Sequence, residues 1–339
     1  MIIVLKPRIS KKEERAVLNE IRKLGYTPHV MRGVARTVIG AIGDELTHAN
    51  LETLASQFPH AVESVMPIQK RYKLVSREAH PSASTIRVRE HVIGGRKLHV
   101  MAGPCSVESE KQLLSVAEAV KAAGATLLRG GAFKPRTSPY EFQGLGERGL
   151  KLLDKARRLT GLAVVTELLS EQHVDLVAEY TDIIQIGARN AQNFQLLIAA
   201  AKTGKPILLK RGLSMKIEEW LLAGEYVLAN ENSKLMFCER GIRTFETYTR
   251  NTLDLSTVPI IKHESHCPIV IDPSQGVGRA DLVSTMCKGA VAMGADALLI
   301  EVHPNPAEAW SDGAQQVTLE VFARLMNELR PFVAAAGRE

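Results

Sequence analysis

The chain has few cysteines, no long apolar run and no low-complexity tract, and each absence removes a class of answers. Its four cysteines, Cys105, Cys238, Cys267 and Cys287, are widely spaced with no C-x-x-C pair, which argues against a disulfide framework and a zinc ribbon and points to reduced thiols. Apolar runs break well short of the roughly 20 residues that a spanning helix requires. The N-terminal MIIVLKPRIS has no basic region ahead of its apolar stretch, so a cytoplasmic protein with no membrane partner is expected. No G-x-G-x-x-G or Walker pattern follows a strand signal and no G-x-S-x-G elbow occurs, which leaves nucleotide binding and serine hydrolysis little support.

What is there reads as an ordinary globular protein, 45% hydrophobic and 24% charged. At 339 residues it exceeds a typical single domain, so two domains are expected, one of them of about 250 residues. A formal charge of +6 raises the question of nucleic acid, but Lys and Arg are spread along the chain, many inside short Gly-rich and Pro-rich motifs. Anionic small molecules fit that distribution better, and no nucleic-acid partner is expected.

The first 70 residues follow a β-α-β-β-α-β order. Strand signals fall at Ile2 to Leu5, near Val30, from Thr37, and over a stretch ending near Ile68; helical stretches run from Lys11 to Leu24 and from Asn50 to Gln57. That is the ferredoxin-like split βαβ pattern, a frequent ligand or interaction module. KLVSREAHPSAS lacks periodicity and reads as linker, and residues 71–96 are expected to link the domains and close a barrel. Residues 97–339 then carry eight short apolar runs alternating with helical patterns: KLHVM, TLLR, AVVT, IIQI, ILLK, LMFC, IVI and ALLIEV. The expected fold is therefore α/β, a (β/α)8 TIM barrel preceded by a small ferredoxin-like α+β domain, although an open doubly wound sheet gives a similar local pattern.

A barrel places its active site on the loops after its strands. Here every strand signal is followed by chemistry-bearing residues: GPCSVE with Cys105, RGGAFKPRTSP, Glu167, GARN with Arg189, Lys210-Arg211, CERG, DPSQ and EVHP. Arg129, Lys134, Arg136, Arg189, Lys210 and Arg240 would share one face, and such a cluster needs anions to neutralise it; Arg forks suit phosphate and carboxylate. Cys105, Glu301 and Asp312 lie on loops after the first and last strands, which adjoin in a closed barrel, so they could converge on one divalent cation. Spacing alone favours a plainer view, with Cys105 a small buried hydrophobe and Asp312 a cap in the turn-like S-D-G. His303 could be a ligand, a donor to substrate or a packed residue. His263 and His266 precede the seventh strand, at the opposite barrel end, and read as structural.

Taken together, AGPCSVES, LLRGGAFKPRTSPY, DIIQIGARNAQN, LLKRG, CERGIRTFE, DPSQGVG and IEVHPNP with SDGAQQ resemble the 3-deoxy-D-arabino-heptulosonate 7-phosphate (DAHP) synthases, in the subtype with an N-terminal ferredoxin-like regulatory domain. The resemblance covers essentially the whole chain. It implies a metal-dependent condensation of phosphoenolpyruvate with erythrose 4-phosphate at the head of the shikimate pathway. It also implies a homotetramer and feedback by an aromatic amino acid through residues 1–70. By motif, Arg129, Lys134, Arg189, Lys210 and Arg240 would hold phosphoenolpyruvate, with Asp272 in the substrate loop. Pro135, Arg136 and Thr137, with Lys134, would reach the aldose phosphate. Cys105, Glu301 and Asp312 would hold a divalent Mn, Fe, Co or Zn ion, which reverses the preference drawn from spacing, and Cys105, Lys134, Glu167 and His303 would be the catalytic candidates. One departure stands out: the family's D-P-S-H, whose histidine is the fourth metal ligand, reads D-P-S-Q here, placing Gln275 at that position. Two alternatives stay open: the octulosonate 8-phosphate synthases, which the K-P-R-T run and the N-terminal domain disfavour, and a metal-impaired paralogue that only binds phosphorylated ligands.

Overall fold

The computed structural model describes residues 1–7, 9–33, 36–43, 49–66 and 71–339. They divide into two compact units, Met1–Ala83 with His263–His266, and Ser84–Lys262 with Cys267–Glu339.

In the first unit, β1 (Ile2–Leu5), α1 (Lys11–Lys23), β2 (Thr27–Arg32), β3 (Thr37–Ile42), α2 (Ala49–Glu52), α3 (Leu54–Gln57) and β4 (Val62–Met66) follow the order expected from the sequence. The strands form one antiparallel sheet in the order β2-β3-β1-β4. Helix α1 starts where it does because Ser10 and Glu13 close a capping box, each side chain bonding the other's backbone N–H. Its Val17 and Ile21 are buried in a core with Ile3, Leu5 and Ile39. The helix expected over 50–57 is broken at Thr53, whose hydroxyl accepts from Gln57 Nε2 while its carbonyl accepts from Ser56 Oγ. Such local side-chain bonds compete with a continuous helical ladder. Strand β4 is described as far as Met66, and Ile68 lies outside the described residues. The aperiodic stretch after it is irregular, yet Leu74, Val75 and Ser76 are fully buried.

The second unit opens with a hairpin, β5 (Ile86–Val88) and β6 (His91–Ile93). Eight strands follow: β7 (His99–Gly103), β8 (Leu127–Arg129), β9 (Ala163–Leu168), β10 (Ile183–Ile186), β11 (Ile207–Lys210), β12 (Leu235–Glu239), β13 (Ile269–Ile271) and β14 (Ala297–Glu301). They close into a parallel barrel in chain order, β14 pairing with β7. The strands are near-continuous apolar runs because both faces are covered, one by helices and one by the barrel interior. Ile86, Val88 and Ile93 of the hairpin share one core cluster with Leu127, Ala163, Ile183 and Ala297, the first residues of four strands. The hairpin therefore stops the N-terminal mouth and leaves the C-terminal mouth for chemistry. No helix among the described residues is long and apolar enough to cross a membrane.

Candidate active site

At the C-terminal mouth lies a cavity of about 440 Å³ lined by eight Arg and Lys side chains against three Glu and Asp. The strand ends aim the innermost of them. Arg129 ends β8 and Lys210 ends β11, Arg240 follows β12, and all three are nearly fully buried. Lys210 Nζ pairs with Asp272 at 2.6 Å, and Arg129 pairs with Glu301 at 3.1 Å while donating to Pro104 O. These partners hold each cation in a dry wall at a fixed angle, which a binding face needs and a solvated surface does not supply. Arg189 follows β10, is exposed, and has no ion-pair partner among the described residues. Arg136 is tied to Glu141 at 2.7 Å, and Pro135 and Thr137 line the same wall. The next residue along from Lys210 is different: Arg211 points away, to Glu239 at 3.0 Å and Asp254 at 3.1 Å. That Glu239 carboxyl is pushed up by burial, which Arg211 opposes. Arg211 is a structural cation and its neighbour a lining one.

Beside the cations, the ligand atoms of Cys105, Glu301 and Asp312 lie within 4.8 Å of one another. Loop geometry brings them together. Asp312 sits in the left-handed region at φ 48°, where Asp is tolerated better than most residues, and opens the short 3-10 turn Gly313–Gln315. Cys105 N–H donates to Gln316 Oε1, which joins the loop after β7 to the loop after β14. Burial, with help from Glu301, pushes the Cys105 thiol up to about 11, so without a cation it stays protonated. Burial would raise the Asp312 carboxyl too, but Arg250 and Lys134 outweigh it and hold it below the usual range. One soft thiolate and two carboxylates on two adjoining strands form a donor set that fits a divalent cation. Lys134 Nζ completes the surroundings, donating to Cys105 Sγ at 2.9 Å and Cys105 O at 3.2 Å. Gly131 makes room for it, since a Cβ there would stand 2.8 Å from both Cys105 O and Lys134 Cδ.

Gln275 and His303 are both held by hydrogen bonds to neighbouring side chains. Gln275 stands next to the cluster, but its carbonyl oxygen faces Arg240 and its NH2 faces the carboxylates, so no donor atom is offered to a cation. His303 is buried with both ring nitrogens engaged: Nε2–H donates to Glu108 at 3.2 Å and Nδ1 accepts from Asn305 N–H at 3.1 Å. It does not line the cavity. Glu108 also accepts from Trp310 N–H, so the pair braces the loop that carries Asp312. Glu167 does line the cavity, packed so closely under Gly187 that a Cβ there would sit 1.9 Å from its Oε1. Asp272 lies beneath the surface, bonded to Lys210, and caps the turn Pro273–Val277 by accepting from Gln275 N–H.

Comparison with known proteins follows the same lines. A family model described as the DAHP synthetase I family matches residues 78–334, and one for the DAHP synthase ferredoxin-like domain matches residues 1–70. The chain belongs to the DAHP synthetase I family. It is 49% identical over 339 residues to the phospho-2-dehydro-3-deoxyheptonate aldolase of Thermotoga maritima, covering 99% of each chain. The crystal structure of a Thermotoga maritima enzyme of that name superposes with a TM-score of 0.79 at 48% identity, covering 100% of this chain and 98% of that one. A 2-dehydro-3-deoxyphosphooctonate aldolase of Caulobacter vibrioides is 33% identical over 269 residues, 74% of this chain and 91% of its own.

Family motifs pointed to most of the lining but not to all of it. Gln185, Arg243, Arg250 and Asn251 also line the cavity and were not singled out. Arg250 pairs with Asp312 at 3.1 Å and with Gln315 at 2.9 Å. Arg243 lies within the motif CERGIRTFE, whereas the only sequence signal for Arg250 is its place in the long polar loop after β12, RGIRTFETYTRN.

Proposed function

We propose that this chain condenses phosphoenolpyruvate with erythrose 4-phosphate, giving DAHP and inorganic phosphate. One observation carries the reading: a cavity with eight cations against three carboxylates shares Asp312 with a thiol and carboxylate cluster suited to a divalent cation. The substrates bring two phosphates and a carboxylate, the anions such a lining would neutralise. Arg129, Lys134, Arg189, Lys210 and Arg240 would hold phosphoenolpyruvate, and Pro135, Arg136 and Thr137 the aldose phosphate, so that C3 of the enol faces the aldehyde. Cys105, Glu301 and Asp312 would hold the cation, which when bound polarises the aldehyde oxygen. Glu167 Oε and Lys134 Nζ are the cavity groups able to hold the water that adds at C2 or to move its proton. Asp272 supports through Lys210, and His303 through Glu108, neither touching substrate.

The small domain we assign to binding an aromatic amino acid, on the match of residues 1–70 to the family's ferredoxin-like domain. Inhibition by tyrosine or phenylalanine that survives deletion of those residues overturns it. We also propose a homotetramer, to be read from the mass in solution. The main test follows phosphoenolpyruvate consumption with erythrose 4-phosphate, on chelator-stripped chain re-supplied with manganese, cobalt, zinc or iron. Turnover that vanishes on stripping and returns with a cation is expected; no turnover under any of these conditions refutes the reading.

A further inference from the structure

Gln275 lies between groups of fixed polarity, and they set which way round its amide sits. Its Oε1 accepts from Arg240 Nη2 at 2.6 Å, while its Nε2 donates to Glu301 Oε1 at 3.1 Å and Asp312 Oδ2 at 3.4 Å. A guanidinium can only donate and ionised carboxylates can only accept. Turning the amide over would set NH2 against guanidinium and carbonyl against two carboxylates, losing every bond and opposing like dipoles. The backbone is pinned as well, its N–H donating to Asp272 Oδ1 at 2.9 Å and its carbonyl accepting from Asn251 Nδ2 at 3.0 Å.

A ligand at this position would have to present Oε1 to the cluster of Cys105, Glu301 and Asp312, which is the orientation these neighbours forbid. We propose that Gln275 is a brace rather than a ligand: it ties Arg240 to the two carboxylates, and the cation takes three protein ligands, Cys105, Glu301 and Asp312. Each carboxylate has about four lone-pair sites, so Glu301 and Asp312 can accept from Gln275 and still coordinate. Two consequences follow. Three protein ligands leave coordination positions open for water and substrate, as in catalytic sites. A set with no nitrogen donor is also harder than one with imidazole, so it discriminates less strongly in favour of zinc over manganese. The inference rests on the proposed use of this cluster as a cation site, and its test separates the two.

The test is a crystal structure of the full chain soaked with Zn2+ alone, with the cation located by anomalous scattering. The expected peak stands about 2.3 Å from Cys105 Sγ and about 2.0–2.2 Å from one oxygen each of Glu301 and Asp312, with Gln275 Oε1 still on Arg240. A peak on those three with Gln275 Oε1 also at ligand distance overturns the brace and leaves the cation site standing. No peak at the cluster overturns both. In solution, Gln275→His should tighten Zn2+ binding at least about tenfold, because it adds a donor where none stood; an unchanged affinity means that the position already supplied a ligand and counts against the brace.

Discussion

Arg189 and Arg211 are both arginines just past a barrel strand, and the structure gives them opposite fates on substitution. Arg189 is exposed, lines the cavity and spends no charge on the protein. Arg189→Ala should therefore change folding stability by no more than about 0.5 kcal/mol, the usual range for a surface site. Its loss should be felt by the ligand: a hydrogen bond to a charged group contributes roughly 1.5–3 kcal/mol. That is a rise of roughly 10- to 150-fold in the KM for phosphoenolpyruvate, since 1.4 kcal/mol is about tenfold. Arg211→Leu should do the reverse. Glu239 is fully buried and Arg211 is its charge partner at 3.0 Å, so the variant strands a buried carboxylate, at a cost of roughly 3–5 kcal/mol. For a barrel of this size that lowers Tm by roughly 6–10 °C. The assay is steady-state kinetics in phosphoenolpyruvate beside thermal unfolding for both variants. A folded Arg189→Ala chain with an unchanged KM, or an Arg211→Leu chain with an unchanged Tm, would refute the division of the two roles.

Gly187→Ala should displace the Glu167 carboxylate, because the new Cβ would stand 1.9 Å from Oε1 at the end of a flexible side chain. With the fold intact, kcat should drop by at least about tenfold if Glu167 handles a proton; an unchanged kcat in both Gly187→Ala and Glu167→Gln removes it from the chemistry. Burial pushes the His99 imidazole down to about 4, so between pH 6.5 and 4 the unfolded chain takes up a proton that the folded chain refuses. Its contribution is fully present above pH 6.5 and is lost as pH falls toward 4, by up to about 3 kcal/mol. His99→Gln should flatten that part of the profile in denaturant titrations at pH 7 and 4.5, and an identical decline in both proteins contradicts the assignment. Glu108→Gln should leave the cavity cations in place but weaken the brace on residues 310–312, loosening Zn2+ binding by roughly tenfold while the KM for phosphoenolpyruvate stays within about twofold.

The sequence showed the architecture more fully than the site, for a physical reason. A parallel barrel strand is buried on both faces, so it reads as a near-continuous apolar run, and IIQI, ILLK and IVI coincide with β10, β11 and β13 residue for residue. The residues at the C-terminal end of such a run are almost forced to be near the mouth, which is why Arg129, Lys210 and Arg240 are placed there from sequence. Direction is another matter. Lys210 and Arg211 are chemically alike and adjacent, and only the alternation of side chains at the strand end sends one into the cavity and the other to Glu239. His303 was unreadable because its role depends on Glu108, 195 residues earlier, and Gln275 because its orientation depends on Arg240, 35 residues away. Long-range partners decide which atom of a polar side chain faces a site, and no local pattern encodes them. Gln275 makes the point most sharply. By motif it would occupy a ligand's position, while the charges on either side turn its carbonyl oxygen toward Arg240 and its NH2 toward Glu301 and Asp312, so motif and hydrogen bonds assign the same residue different roles.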